Sequence, residues 1–134
     1  MPTIAIINTS EDTIEMLRTA LGHHGFTSLA AAHAVDLRKG RQDFTAFLAE
    51  HDPRVLIYDI SIPYDRNWAL LQSMLDLPQM RGRRVIVTTT NKDVLERLVG
   101  PTQAIEIHGK PYDIEQIVRA VDKAIQGGSG AGPT

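Results

Sequence analysis

Apolar residues along this chain come in two rhythms. Short, nearly continuous runs occur at Thr3–Ile7 (TIAII), Arg54–Tyr58 (RVLIY), Arg84–Thr88 (RVIVT) and Gln103–His108 (QAIEIH). Their Ile and Val favour extended backbone, and the runs are too short for free-standing helices. Continuous rather than alternating apolarity marks strands covered on both faces, which is the condition of a parallel sheet. Phe26–Ala31 is a weaker run of the same kind and a further strand.

Between these runs the apolar positions recur at helical spacing. Ile14, Leu17 and Leu21 lie one and two turns apart behind Thr9-x-x-Asp12, read as a capping box, and Gly22 and Gly25 stop the pattern. Phe44, Phe47 and Leu48 form a short stripe ended by Pro53, and Leu70, Leu71, Met74 and Leu75 form another ahead of Pro78. Val94, Leu95 and Leu98 run into Gly100-Pro101. The clearest stripe is Ile114, Ile117, Val118, Val121 and Ile125, with Asp113 as N-cap and Gln116 three residues on. Residues His33–Gln42 are polar, include Gly40, and read as an extended loop before the second helix. Strands alternating with helices predict an α/β fold: a doubly wound, five-stranded parallel sheet flanked by five helices, with right-handed crossovers.

Composition narrows the class without supplying chemistry. The 134 residues suit one domain, assigned to residues 1–126, and the segment Gly127–Thr134 (GGSGAGPT) reads as a flexible tail or linker stub. Lys and Arg number 14 against 16 Asp and Glu, so the formal charge of −2 gives no overall attraction to nucleic acid or an anionic membrane. The absence of Cys removes disulfides and thiolate metal sites and fits a reducing, cytoplasmic setting. The five His (His23, His24, His33, His51 and His108) show no metal-ligand spacing. Arg81, Arg83 and Arg84 form a basic cluster with no interleaved aromatic residues, read as a solvated loop rather than a nucleic-acid patch.

In an open parallel sheet, ligands sit beyond the carboxyl ends of the strands. The residues there are Asn8-Thr9-Ser10-Glu11-Asp12, Asp59-Ile60-Ser61-Ile62-Pro63, Thr89-Thr90-Asn91 and His108-Gly109-Lys110-Pro111. One carboxylate, several hydroxyls and one ammonium thus converge on a single edge.

With these residues in order, the chain resembles the receiver domain of bacterial two-component response regulators over residues 3 to 126. RVLIYDISIP resembles the phospho-acceptor strand and loop, VIVTTTN the fourth strand, and GKPYDIEQIVRAV the Lys-Pro turn and final helix. The resemblance implies a CheY-like (flavodoxin-like) (βα)5 fold with strand order 2-1-3-4-5. It implies Asp59 as phospho-acceptor, Thr89 and Thr90 as the hydroxyl and small residue at the phosphate, and Lys110 as the phosphate-pairing cation. It also implies a role in phosphorelay signalling through a sensor kinase or downstream protein, with the face of residues 91–126 as a partner or homodimer surface. No catalytic activity, nucleic acid or membrane is implied.

The departures from the family pattern bear on the same site. Receivers end their first strand with two adjacent acids that help hold Mg²⁺, and here those positions are Asn8 and Thr9. Ile107 stands where a switch aromatic is expected, and Asn67 where a Gly is usual. Mg²⁺ prefers octahedral oxygen ligands that include one or two carboxylates. Asp59 and the backbone carbonyl of Ser61 are the ligands that remain, so the expectation is a weak metal site or none and poor phosphorylation. Glu11 and Asp12 are expected on the first helical turn, and an Asp59–Lys110 ion pair is expected instead of a metal. The alternative function is a small anionic-ligand-binding module that uses the hydroxyl-rich loop Asn8-Thr9-Ser10. As to organisation, a stand-alone domain and the N-terminal piece of a longer protein are both expected readings.

Overall fold

A computed structural model describes residues 2–40, 43–100, 105–109 and 113–131. Five parallel strands, β1 (Thr3–Asn8), β2 (Leu29–His33), β3 (Pro53–Ile60), β4 (Arg84–Thr89) and β5 (Ile105–Gly109), form one sheet in the order β2-β1-β3-β4-β5. Among the described residues six α-helices accompany them: α1 (Glu11–His23), α2 (Ala34–Arg38), α3 (Phe44–His51), α4 (Tyr64–Leu75), α5 (Lys92–Val99) and α6 (Ile114–Ala131). The architecture is the doubly wound sheet that the alternating pattern predicts.

Strand alternation explains the two cores. On one face Ile4, Ile6, Val55, Ile57 and Ile86 pack with Ile14, Leu17 and Leu21 of α1 and Ile117, Val118 and Val121 of α6. On the other, Ala5, Ile7, Leu56, Tyr58, Val85 and Val87 meet residues of α2, α3, α4 and α5, among them Leu37, Phe47, Trp68, Leu71 and Leu95. Each fully buried Ile or Leu contributes about 1.5–3 kcal/mol of transfer free energy, so both faces are needed to offset chain entropy.

The structure corrects several boundaries. The segment expected as a loop holds α2, making six helices rather than five. This helix has five residues and buries only Ala34 and Leu37, so packing rather than helical periodicity holds it. The second strand starts at Leu29 rather than Phe26, and its Leu-Ala-Ala-Ala-His sequence is apolar but small. The N-cap of α1 is Ser10, not Thr9: β1 runs on through Asn8, and the Ser10 side chain accepts from the Thr13 N–H. Helix α4 begins directly after Pro63, so Asn67 and Trp68 lie within it and are buried. Helix α3 ends at Asp52, whose φ of 45° is left-handed, just ahead of Pro53. At the far end, the backbone of α6 stays helical through Ala131, past the point where the tail was expected to begin.

Candidate functional site

Parallel pairing draws one polar residue from each strand into a row across the upper edge of the sheet. Asn8 pairs with His33, Asp59 with Thr88, and Thr88 with His108. Because Ile7 pairs with Tyr58, Asn8 lies next to Asp59 on the same face. The row His33–Asn8–Asp59–Thr88–His108 caps the face that α1 and α6 cover. Its three central members are nearly inaccessible, at 2%, 5% and 0% exposure for Asn8, Asp59 and Thr88.

Burying a carboxylate requires donors. The Thr88 hydroxyl donates to Asp59 Oδ1 at 2.7 Å. This is the hydroxyl beside the candidate acceptor, one residue earlier than the Thr89 that the strand pattern suggested. Thr89 pairs with Ile60 and lies on the opposite face, where its Oγ1 accepts from the Asn91 N–H at 3.4 Å. Thr90 is exposed, and its hydroxyl shares a 2.6 Å hydrogen bond with the Tyr64 hydroxyl, tying the start of α4 to the β4–α5 loop. Lys110, the expected partner of Asp59, lies outside the described residues.

A narrow crevice reaches Asp59 from the other side, between Thr9, Arg38, Tyr58, Ser61 and Asn67. Asn67 organises it. Its Nδ2 donates to the Ser61 carbonyl at 2.8 Å, and its Oδ1 accepts from Arg38 Nη1 at 3.3 Å. Tyr58 lies below, with its hydroxyl pKa pushed up to about 12 by burial; the Arg38 guanidinium opposes that rise and Asp59 adds to it. Arg38 therefore brings a cation to the mouth of the Asp59 crevice. It is carried by α2, the segment read as a loop, and no spacing in the sequence marks it.

At the first-strand end, the Asn8 amide oxygen accepts from the Ser10 N–H at 2.9 Å, and Ser10 in turn caps α1. Thr9 is exposed at the crevice rim. Glu11 lies on the first turn of α1, with its Oε1 3.4 Å from His33 Nε2 and its side chain 79% exposed. Among the described residues, no cluster of three His, Asp or Glu is placed to hold a metal ion. The loop proposed for anions already spends two of its N–H groups, those of Ser10 and Thr13, on its own side chains.

The expected signalling face follows α5, β5 and α6. Lys92, Glu96, Arg97, Glu106, Glu115, Arg119 and Lys123 are exposed there, whereas Asp122 is half-buried and bonds His24 Nε2 at 2.6 Å. Ile107 is partly buried against the second core. No helix of the described residues is long and apolar enough to cross a membrane.

No family model matches the chain, and no curated protein matches it in sequence. Solved structures do match. The Vibrio cholerae chemotaxis protein CheY4 aligns over 92% of this chain and 98% of its own, with TM-score 0.66 and 18% identity. The apo receiver domain of nitrogen regulatory protein C covers 93% of this chain and 94% of its own, at TM-score 0.70 and 24% identity. The signal receiver domain of a signal transduction histidine kinase from Syntrophus aciditrophicus gives TM-score 0.70 and 22% identity, over 95% and 92%. The fold is that of the CheY-like receiver domain.

Proposed function

We propose that this chain is a receiver-like signalling module of a two-component or phosphorelay system, acting in the cytoplasm through protein–protein contact and not as an enzyme. Asp59 is its phospho-acceptor position, and phosphoryl transfer to it is poor or absent. One observation carries this reading: the buried polar row holds a single carboxylate, and the residue beside it is an amide already used in the turn into α1.

The donor set does not suit Mg²⁺. Asp59 accepts from Thr88, the Ser61 carbonyl accepts from Asn67, and the Asn8 oxygen accepts from Ser10. A hard divalent ion would gain one carboxylate and otherwise compete for oxygens already bonded. Arg38, which lines the same crevice as Asp59, supplies a cation there without a metal. Information then passes to a kinase or downstream protein through the mixed-charge face of α5, β5 and α6, which also serves as the candidate homodimer surface.

Trp68, buried on α4 next to Asn67, is the only Trp of the sequence. Titration with Mg²⁺ and then beryllofluoride is expected to leave its fluorescence unchanged, with no phosphate incorporated from acetyl phosphate. Saturable, Mg²⁺-dependent incorporation that is lost in Asp59→Asn would overturn the proposal of poor phosphorylation.

A further inference from the structure

We infer that the end of the sheet opposite Asp59 carries a binding site for an oligophosphate, meaning two or more linked phosphoryl groups. A cavity of about 360 Å³ lies there, between the start of β1, the α3–β3 junction and the turn that leads into β4. That volume is at the small end of the range for organic ligand sites. Three guanidinium groups line it, from Arg54, Arg81 and Arg83, together with His51 and a single carboxylate, Asp52. Arg81 and Arg83 of the basic cluster that the sequence presents as a loop thus meet Arg54 around a concavity, while Arg84 begins β4.

Arg83 is the built part of the site. Its Nε donates to the Gln79 carbonyl at 2.8 Å, and its Nη1 donates both to Asp52 Oδ1 at 2.8 Å and to the Pro53 carbonyl at 2.7 Å. Its side chain is only 15% exposed. Three bonds therefore fix the plane of the guanidinium, while Nη2 has no bond among the described residues. Among the described residues no buried side-chain nitrogen or oxygen lacks a partner, so Nη2 is not fully buried. A pinned guanidinium with a free edge binds an anion with little loss of side-chain entropy.

The flanking turns set the other two cations. Gly82, at φ 82°, provides the left-handed residue that a tight turn between Arg81 and Arg83 needs. Asp52, at φ 45°, turns the chain out of α3 into β3. Arg54 and Arg81 are exposed, their side chains have no bonded partner among the described residues, and Arg83 neutralises Asp52. Three guanidiniums against one carboxylate thus leave the lining an excess of two positive charges. Among the described residues no Phe, Tyr or Trp lines the cavity, and the one ring there, that of His51, is tilted against Phe47 with centroids 4.8 Å apart. The chemistry recognised is therefore the phosphate chain itself, whether free or as the tail of a nucleotide.

Calorimetric titration of the full chain with inorganic phosphate, diphosphate, AMP and ADP at low ionic strength tests the assignment. Diphosphate and ADP are expected to bind saturably with one-to-one stoichiometry, and phosphate and AMP at least roughly tenfold more weakly, since they span fewer guanidiniums. Comparable affinity for diphosphate and ADP identifies the phosphate chain as the recognised part; tighter ADP binding assigns the site to a nucleotide. In the double variant Arg54→Gln/Arg81→Gln, whose positions are exposed, binding should fall by roughly tenfold or more with an unchanged circular dichroism spectrum. Asp59→Asn should bind like the unaltered chain. Absence of saturable binding, unchanged binding in the double variant, or loss of binding in Asp59→Asn would each overturn the inference.

Discussion

Replacing Thr88 by Val removes one hydroxyl from the centre of the candidate site and almost nothing else. The two side chains are close in shape, so no cavity opens. Thr88 is fully buried, and its hydroxyl donates to Asp59 Oδ1 at 2.7 Å. A hydrogen bond to an ionised acceptor contributes about 1.5–3 kcal/mol, and burial of both groups prevents water from replacing the lost donor. The expected cost is therefore about 1.5–3 kcal/mol, read as a fall of roughly 1 M in the urea midpoint for a domain of this size. A second background isolates the bond. In Asp59→Asn the acceptor is a neutral amide oxygen, and the same Thr88→Val change should cost only about 0.5–1.5 kcal/mol, a coupling of about 1 kcal/mol across the cycle. Trp68 fluorescence and far-ultraviolet circular dichroism follow the unfolding of the four proteins. Thr89→Val serves as the control, because Thr89 faces the other way and should show no coupling to Asp59. A cost below about 0.5 kcal/mol for Thr88→Val, equal costs in the two backgrounds, or coupling at Thr89 in place of Thr88 would refute the assigned geometry.

Two further outcomes follow from single side chains. Asn67→Ala deletes the 2.8 Å bond to the Ser61 carbonyl inside the crevice and should lower stability by about 1–2 kcal/mol, whereas Arg38→Ala, at an exposed position, should cost no more than about 0.5 kcal/mol; urea midpoints compare them. Asp43 caps α3 by accepting from the Thr45 hydroxyl and from the Thr45 and Ala46 N–H groups, which together hold its pKa below the usual 3.8. A depressed folded pKa stabilises above the unfolded value and is lost as pH falls through the folded one. Asp43→Ala should therefore melt earlier than the unaltered chain at neutral pH, with the gap closing below about pH 3.8 in thermal scans.

How much of this was legible in the sequence depends on what each feature needs. The strands announce themselves because a sheet covered on both faces demands uninterrupted Ile and Val, as in Thr3–Ile7 and Arg84–Thr88. The second strand is harder: Phe26–Ala31 is a weaker run, and three consecutive Ala bury little and leave the bounds of Leu29–His33 unmarked. Helix α2 is invisible for a related reason: five residues cannot display a helical period, and contacts with distant residues, among them those of Ala34 and Leu37 and the Arg38–Asn67 bond, hold them in place.

The chemistry is less legible than the fold because it turns on single-residue register. Thr88, Thr89 and Thr90 are alike as residues, yet pairing of β3 with β4 sends the first to Asp59, the second to the opposite face and the third to Tyr64. A shift of one residue along a strand reverses every side chain, so no composition argument selects among three adjacent hydroxyls. Asn8 shows the same limit in another form. From sequence it is an amide where an acid is expected. In the fold its oxygen holds the Ser10 N–H and sets the entry into α1, so the position keeps a structural task that does not depend on a metal. A strand end can thus carry a polar, buried side chain whose task is structural. Survival of Asn8, Asp59 and Thr88 in one buried row is accordingly evidence for the receiver architecture first, and for phosphoryl transfer only to the extent that a cation reaches Asp59.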